Sequence, residues 1–393
     1  MPLKAAFQQS LAINHTHPAE PAMTIAPFPL ISVSGKPRER GRAYGEAAAE
    51  RVLGSIALYG GQLSDLGYSE ERKAELIAGF VREIDAFDPS YPEEMAGIAE
   101  GAGVAFEDVV MINARTEVMA KARRESNRPV DASIEPDDGC TGAVILPERS
   151  ASGRLIHGQN WDWRSECAET SVVLCVRRDD GPDFLTFVEA GGLARSGLNQ
   201  AGLSITANYL DSERDYKTPG VPLVFIRRKV LEQAHFAMAV KAVAATPKVC
   251  SNNMMIATAE GFAIDFECAP DEAFPLYPSA GLIVHANHWV SAVALAKLKD
   301  TGIASVPDSV YRDWRVSKLL REAGEKLTPD DLKHAFFDEF AKPYSVCRPP
   351  RPGLRDNNLS ATVAMVVMDP GQGVMEVAPL PALNRSFTRY SLD

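Results

Sequence analysis

Cys140 directly follows Gly139 and opens a run of β-type residues after the acidic stretch Pro136-Asp137-Asp138-Gly139. A cysteine in this place admits two readings. In the first it is a packing residue, the first inward-facing side chain of a strand, and Gly139 is a turn residue. In the second it is a nucleophile that becomes an N-terminus. Its thiol adds to the carbonyl of Gly139, the peptide bond rearranges to a thioester, and water releases an α-amino group on Cys140. Gly139 suits this, because glycine adopts strained backbone conformations and allows close approach to its carbonyl. The cut would also supply a base. A thiol with a pKa of about 8.5 is only a few per cent ionised at neutral pH and needs a base close by. An α-amine with a pKa of about 7.7–8.0 is partly free base there, whereas the uncut nitrogen is an amide. No histidine is required, and none follows Cys140 before His157.

Other chemistries find less support. His285 and His288 are three residues apart; in a strand they point to opposite faces, and no third ligand is nearby in sequence. A metal site is therefore not expected. There is no G-x-x-x-x-G-K-[ST] motif, and Gly191-Gly192 with Gly197 is too little for a phosphate loop. No cofactor is expected. The six cysteines, Cys140, Cys167, Cys175, Cys250, Cys268 and Cys347, form no C-x-x-C pair, which argues against a zinc ribbon or thioredoxin motif.

The elements that must carry these residues follow from periodicity. Residues 1–35 read as a Pro- and Ala-rich leader, poorly ordered, with Met23 as an alternative start. Residues 37–122 read as helical: Leu76, Phe80, Ile84 and Phe87 recur at helical spacing, and Ser90 and Pro92 mark a further helix start. Arg123–Gly139 reads as an exposed linker. From Cys140 the pattern turns to strands at Ala143–Leu146, Leu155–Gly158, Val172–Val176, Phe184–Val188 and Leu203–Ala207. A helix is expected over Leu223–Ala245, then hairpin strands at Met254–Thr258 and Phe262–Phe266, and a strand at Leu282–Ala286. Helices over Asp308–Glu325 and Pro329–Phe340 follow, the second capped by Thr328. A last hairpin joins Ala361–Met368 to Val374–Val377.

The chain has 393 residues, 46% of them hydrophobic, and a net charge of -11 from 41 basic and 52 acidic side chains. That balance disfavours nucleic acid and anionic membrane surfaces, which need a concentrated basic footprint. No apolar run approaches the roughly 18 residues of a membrane span; Val363–Met368 is strand-sized. The first 25 residues hold no signal-peptide core, Leu11-Ala12-Ile13 being too short. The expected location is cytoplasmic, with the thiols reduced.

The blocks around the junction are more specific than the junction itself. Asp138-Gly139-Cys140-Thr141, followed by Gly158-Gln159-Asn160-Trp161-Asp162-Trp163, resembles the isopenicillin-N acyltransferase-like family of cysteine N-terminal-nucleophile (Ntn) hydrolases. Arg40-Gly41 with Tyr44-Gly45, Asn113-Ala114-Arg115-Thr116-Glu117, Gly197–Leu203 and Ala286-Asn287-His288 are similar to further family blocks, in order, over roughly residues 30–380.

The resemblance implies an α+β fold, a four-layer αββα sandwich, made as one precursor and cut between Gly139 and Cys140. The pieces, 1–139 and 140–393, would stay associated as one domain over 36–393. It also implies roles. Cys140 matches the nucleophile and new N-terminus. Asp162 matches an acidic group supporting the α-amine or the cleavage geometry, and Asn287 an oxyanion donor. Arg348 matches a late arginine near the site, and Thr141 a hydroxyl assisting cleavage. Each has a structural alternative: Asp162 as a turn residue, Asn287 as a strand end, Arg348 as a solvated loop arginine before Pro349. Arg115 and Glu117 read as a helix-borne ion pair that holds the fold. The expected activity is hydrolysis of a small N-acyl amide or peptide-like bond through a Cys140 thioester. The alternatives are acyl transfer from a thioester or amide donor to an amine, and an uncut, inactive binder of acyl compounds.

Overall fold

The computed structural model describes residues 25–65, 67–125, 139–350 and 360–393. The chain starts with strand β1 (Leu30–Val33) and six helices: α1 (Pro37–Ala47), α2 (Ala49–Asp65), α3 (Glu70–Phe87), α4 (Ser90–Ala102), α5 (Phe106–Asn113) and α6 (Arg115–Glu125). Next come β2 (Gly139–Ile145), β3 (Ile156–Arg164), the short helix α7 (Cys167–Thr170), and β4 to β7 (Ser171–Val176, Phe184–Glu189, Ser196–Asn199, Leu203–Tyr209). Helices α8 (Leu223–Leu231) and α9 (Phe236–Ala244) lead to β8 (Asn252–Thr258), β9 (Phe262–Cys268), β10 (Ala273–Leu276) and β11 (Leu282–His285). The chain ends with α10 (Ala292–Leu295), α11 (Ser309–Glu322), α12 (Pro329–Phe336), β12 (Ser360–Asp369), β13 (Val374–Pro379) and β14 (Thr388–Ser391).

The strands form two sheets, one of eight in the order β1-β4-β5-β6-β7-β8-β9-β10 and one of six in the order β11-β2-β3-β12-β13-β14. Side-chain alternation in β2 and β3 explains how these stack. Cys140 and Trp161 join Val173, Leu185 and Phe187 of the larger sheet in one core. Val144 meets Met255 and Ala257 of that sheet in a second. The intervening Ala143 and Ile145 face the other way, onto Val316, Leu320, Leu332 and Phe336 of α11 and α12. Helices α1–α6 and α8–α9 cover the outer face of the larger sheet through the largest core. The result is the expected helix–sheet–sheet–helix stack, each sheet burying both faces. Burial of both faces explains why the strands read as near-continuous apolar runs in places.

Two polar residues of β3 face between the sheets and are satisfied there. His157 bonds Ser204 and Thr206 of β7 at 2.9 Å each, and Gln159 Nε2 donates to Ala207 O at 2.6 Å and Asn208 Oδ1 at 2.7 Å. The sheets are thus pinned in register by polar contacts beside the strand that carries Cys140 as well as by packing.

Several boundaries differ from the sequence reading. Of the expected leader, residues 1–24 lie outside the described residues, but Leu30–Val33 pair in parallel with β4, so the folded part begins before residue 36. Their alternating burial marks a sheet edge: Ile31 and Val33 are buried, Leu30 and Ser32 exposed. Of the expected linker, 126–138 lie outside the described residues, while α6 runs on to Glu125 and Gly139 is already a buried strand residue. The expected helix over 223–245 is two helices, α8 ending at Leu231 and α9 beginning at Phe236. Strands β6 and β10 escaped detection, each being only four residues long. Gly101 is inside α4. A Cβ there would lie 2.1 Å from the Arg42 carbonyl oxygen, so glycine permits the close crossing of α1 and α4.

Candidate active site

Cys140 and Asp162 reach the same end of the smaller sheet because β2 and β3 are antiparallel neighbours. Gly139 is opposite Asp162, and Cys140 opposite Trp161. Pleat then divides the two rows. Cys140 and Trp161 face the larger sheet, while Thr141 and Asp162 face α11 and the segment after α12.

Asn287 comes from the turn after β11. Its Oδ1 accepts the backbone N–H of Cys140 at 2.7 Å, and its Nδ2 donates to Tyr209 O at 2.9 Å. Its own N–H donates to Ser309 Oγ at 2.6 Å, which ties the turn to the start of α11. Asn287 is thus more than a strand end; it closes on the residue expected to be the nucleophile.

Arg312 of α11, which the sequence reading did not single out, is fully buried and sits at the centre of this group. Its Nη1 donates to Cys140 O at 2.6 Å and to Thr141 Oγ1 at 2.8 Å. Its Nη2 donates to Asn287 Oδ1 at 2.9 Å, and its Nε to Asp308 Oδ2 at 2.8 Å. The Thr141 hydroxyl oxygen therefore accepts from a guanidinium. In sequence, Asp308 and Arg312 have the i,i+4 spacing of an ordinary exposed helix pair, which is why neither stood out.

Arg348 is also buried, at 1% exposure, and is not a solvated loop residue. It pairs with Asp308 and lies 3.1 Å from Asp162 Oδ2 in an ion pair without hydrogen-bond alignment. Asp162 Oδ1 accepts the Thr362 hydroxyl at 2.6 Å. Asp162 is a mid-sheet residue, not a turn, and its contacts are with Arg348 and Thr362. Two arginines and two carboxylates thus form a buried neutral quartet. Burial raises the Asp162 carboxyl even though Arg348 and Arg312 oppose this. Burial acts the same way on Asp308, but there the two arginines prevail and its carboxyl is held low.

Gly139 meets this quartet directly. A Cβ at Gly139 would stand 2.7 Å from Arg348 Nη2 and 2.8 Å from its Cζ. Gly139 is not among the residues with positive φ. The demand for glycine here comes from the guanidinium against its α-carbon, not from unusual backbone angles.

On the other face, a cavity of about 30 Å³ adjoins Cys140, Trp161, Trp163, Tyr209 and three arginines, Arg115, Arg195 and Arg227. The expected Arg115–Glu117 pair is not formed. Arg115 instead pairs with Glu189 of β5 at 2.7 Å, and Glu117 Oε1 accepts the Leu223 N–H at 2.8 Å. The two side chains leave α6 in different directions, each toward a partner in the sequence after residue 139. His285 bonds Glu267 at 2.8 Å and His288 bonds Ser309 at 2.8 Å. The rings are neighbours, 6.3 Å apart, because His288 lies in the turn beyond the strand. All six cysteines are buried thiols.

Comparison with known proteins adds a family to this geometry. Residues 149–378 match the model of the family described as acyl-coenzyme A:6-aminopenicillanic acid acyl-transferase. The matched span takes in Asp162, Asn287, Arg312 and Arg348 and begins just after Cys140. A curated relative, the acyl-coenzyme A:6-aminopenicillanic-acid-acyltransferase 40 kDa form of Emericella nidulans, is 26% identical over 349 residues, covering 86% of this chain and 89% of its own. Among solved structures, a mutant conjugated bile acid hydrolase from Clostridium perfringens aligns with a TM-score of 0.46 at 11% identity, over 64% of this chain and 92% of that one. Penicillin V acylase from Agrobacterium tumefaciens aligns with a TM-score of 0.43 at 16% identity, over 64% and 86%. With the family model matched over more than half its length, this chain belongs to the acyl-coenzyme A:6-aminopenicillanic acid acyl-transferase family.

Proposed function

We propose that this protein is a self-processing cysteine amidohydrolase whose nucleophile is Cys140, acting on a small N-acyl amide or peptide-like bond. The observation that carries this reading is the 2.7 Å hydrogen bond from the Cys140 backbone N–H to Asn287 Oδ1, in a cradle shared with Arg312. The acceptor for this buried N–H is a side chain held in place by a buried guanidinium. An α-amine released at that nitrogen would occupy the same cradle.

In the maturation step the Cys140 thiol adds to the Gly139 carbonyl, the C–N bond breaks, and the nitrogen leaves as the α-amine. Water then hydrolyses the thioester and frees the Gly139 carboxylate. Asp162 and Arg348 flank Gly139 and support this geometry; Thr141, bonded by Arg312, steadies the other side. In turnover the α-amine takes the thiol proton as sulfur attacks the substrate carbonyl, and returns it to the leaving amine. The Asn287 amide has two donor hydrogens. One is used on Tyr209 O, and the second is available for the oxyanion.

The pieces 1–139 and 140–393 would remain one body. Strand β1 pairs with β4 across the cut, and the largest core mixes α1–α6 with β4, β5, β7 and β8. Buried thiols without disulfides support a reducing, cytosolic setting. Among the described residues no helix is long and apolar enough to cross a membrane.

A second reading, acyl transfer to an amine acceptor, is favoured by the description of the matched family. It differs only in which nucleophile resolves the acyl-enzyme. Intact mass spectrometry tests the common core. Two pieces meeting at Gly139 and Cys140, and a single full-length chain for Cys140→Ala, support it. A full-length wild-type chain supports the inactive binder instead. Two pieces from Cys140→Ala point to an outside protease. Acyl-product release with and without an added amine then separates hydrolysis from transfer.

A further inference from the structure

Among the described residues, three arginines and one carboxylate line the cavity at Cys140. Arg115 and Arg195 share one carboxylate, Glu189, at 2.7 and 3.3 Å. Arg195 also lies over the Trp161 ring, 4.1 Å from its centroid. Arg227 of α8 lines the same cavity and is only 7% exposed. Its Nε is shielded from solvent and has no hydrogen-bond partner, and it forms no ion pair among the described residues. The one carboxylate in the cavity wall is Glu117, which is committed to the Leu223 N–H.

A buried guanidinium with unmet donors is costly unless something occupies it. Burial, with Arg195 adding to it, lowers Arg227 to about 10, so it stays cationic at neutral pH. Burial raises the Glu117 carboxyl. The cavity, of about 30 Å³, has room for a compact polar group.

We infer that Arg227, backed by Arg195, is the recognition site for a carboxylate carried by the substrate close to its scissile carbonyl. The guanidinium fork matches a carboxylate in two parallel hydrogen bonds, with geometric as well as electrostatic selectivity. This rests on the proposed role of Cys140 as the reacting group and narrows the substrate class: an N-acyl amide bearing a carboxylate on its acyl or its amine side, in preference to an uncharged one.

The test does not require the substrate to be known. Iodoacetate and iodoacetamide alkylate the same thiol and differ in one carboxylate. Their rates at Cys140, read by peptide mass mapping of the purified protein, give a ratio to compare with that of free cysteine. Wild type should favour iodoacetate by about tenfold over free cysteine, the worth of one close charge pair. Arg227→Met should remove most of that preference, and Arg227→Lys should keep part of it. In wild type, glutarate should slow modification by iodoacetamide where glutaramide does not, a reading independent of how the variants fold. A ratio equal to that of free cysteine, an unchanged ratio in Arg227→Met, equal effects of glutarate and glutaramide, or no modification of Cys140 by either reagent would each overturn the assignment. Intact mass of the same sample reports whether the chain was cut, so a failure of the maturation chemistry is seen separately. Once a substrate is found, matched pairs tell the two sides apart. Glutaryl against butyryl p-nitroanilide probes the acyl side, and N-phenylacetylglycine against its amide probes the amine side.

Discussion

Arg312 Nη2 donates to Asn287 Oδ1 at 2.9 Å, and the same oxygen accepts the Cys140 N–H at 2.7 Å. The amide orientation of Asn287 is thereby fixed, since two donors demand its oxygen and turn its NH2 group toward Tyr209 O. Arg312 also reaches Cys140 O, Thr141 Oγ1 and Asp308. A lysine has one nitrogen and cannot serve these directions together. Arg312→Lys is expected to slow chain cutting and lower kcat by about tenfold or more, with KM less affected. A time course on a denaturing gel and steady-state kinetics check both. Unchanged kinetics in a folded Arg312→Lys protein would reduce Arg312 to a packing residue.

Asn287 combines an acceptor and a donor in one side chain, and Asn287→Asp separates them. The acceptor for the Cys140 nitrogen survives and the proposed oxyanion donor is lost. Turnover should fall by about 10²–10³-fold. Occupancy of the cradle by the Cys140 nitrogen should persist, visible as near-native thermal stability. Full activity in Asn287→Asp would place the oxyanion elsewhere.

The sequence made some of this site legible and hid the rest for physical reasons. Cys140, Asp162 and Asn287 stand in the ordered family blocks and Arg348 matches a late family arginine; the structure brings them to one end of the sheet through β2, β3, β11 and the segment after α12. Helices α3 and α4 were readable because Leu76, Phe80 and Ile84 repeat on one face and Ser90 starts the next helix. Arg312 and Asp308 were not, because an Asp and an Arg four apart on a polar helix look solvated until the sheet they cap is in place. Arg115 pairs with Glu189, 74 residues away, and no local spacing reports a partner at that distance. Residues 158–163 carry polar side chains that alternate between two buried faces, so the amphipathic pattern that ordinarily marks a strand is missing there.

Gly139→Ala tests whether the residue before Cys140 is glycine for the sake of Arg348. The added methyl would stand 2.7 Å from Arg348 Nη2, so the guanidinium must move off the Gly139 α-carbon and loosen its hold on Asp162 and Asp308. Cutting should slow markedly while the fold persists, as seen in the fraction of full-length chain after purification. Equal processing of Gly139→Ala and wild type would show that Arg348 has slack and that the close contact is incidental.

Glu189 is the shared counter-ion of Arg115 and Arg195 and also accepts from Tyr59. Glu189→Gln keeps the shape but leaves the buried Arg115 and the partly buried Arg195 with too little negative charge. Removing one partner of a buried ion pair typically costs about 3–5 kcal/mol. The urea midpoint should fall accordingly with an unchanged slope. Arg115 and Glu189 lie on opposite sides of the proposed cut, so in cleaved protein the loss should also make the two pieces easier to separate by ion exchange in moderate urea. A variant as stable as wild type would mean that water or a neighbouring group has taken over the charge.

Two buried histidines predict stability limits on opposite sides of neutrality. Burial between the sheets lowers His157 to about 3, against about 6.5 in the unfolded chain. Its depressed value contributes stability that is present above pH 6.5 and lost as pH falls toward 3, at about 1.4 kcal/mol per unit. His285 behaves in the opposite way. Burial disfavours its charge, but Asp265 and Glu267 prevail and raise it to about 9. That stability is complete below 6.5 and declines as pH climbs through 9. Stability of the wild type should therefore decline on both sides of neutrality. His157→Gln should flatten the acid limb alone, because a glutamine amide can still bond the Ser204 and Thr206 hydroxyls without titrating. His285→Gln should flatten the alkaline limb alone, and at neutral pH it should be the less stable of the two, since it leaves Glu267 without its cation. Denaturation midpoints measured from pH 4 to 10 separate the two effects. An acid limb that stays as steep in His157→Gln would assign it to the carboxylates instead, and a flat wild-type profile would mean that neither histidine titrates differently on folding.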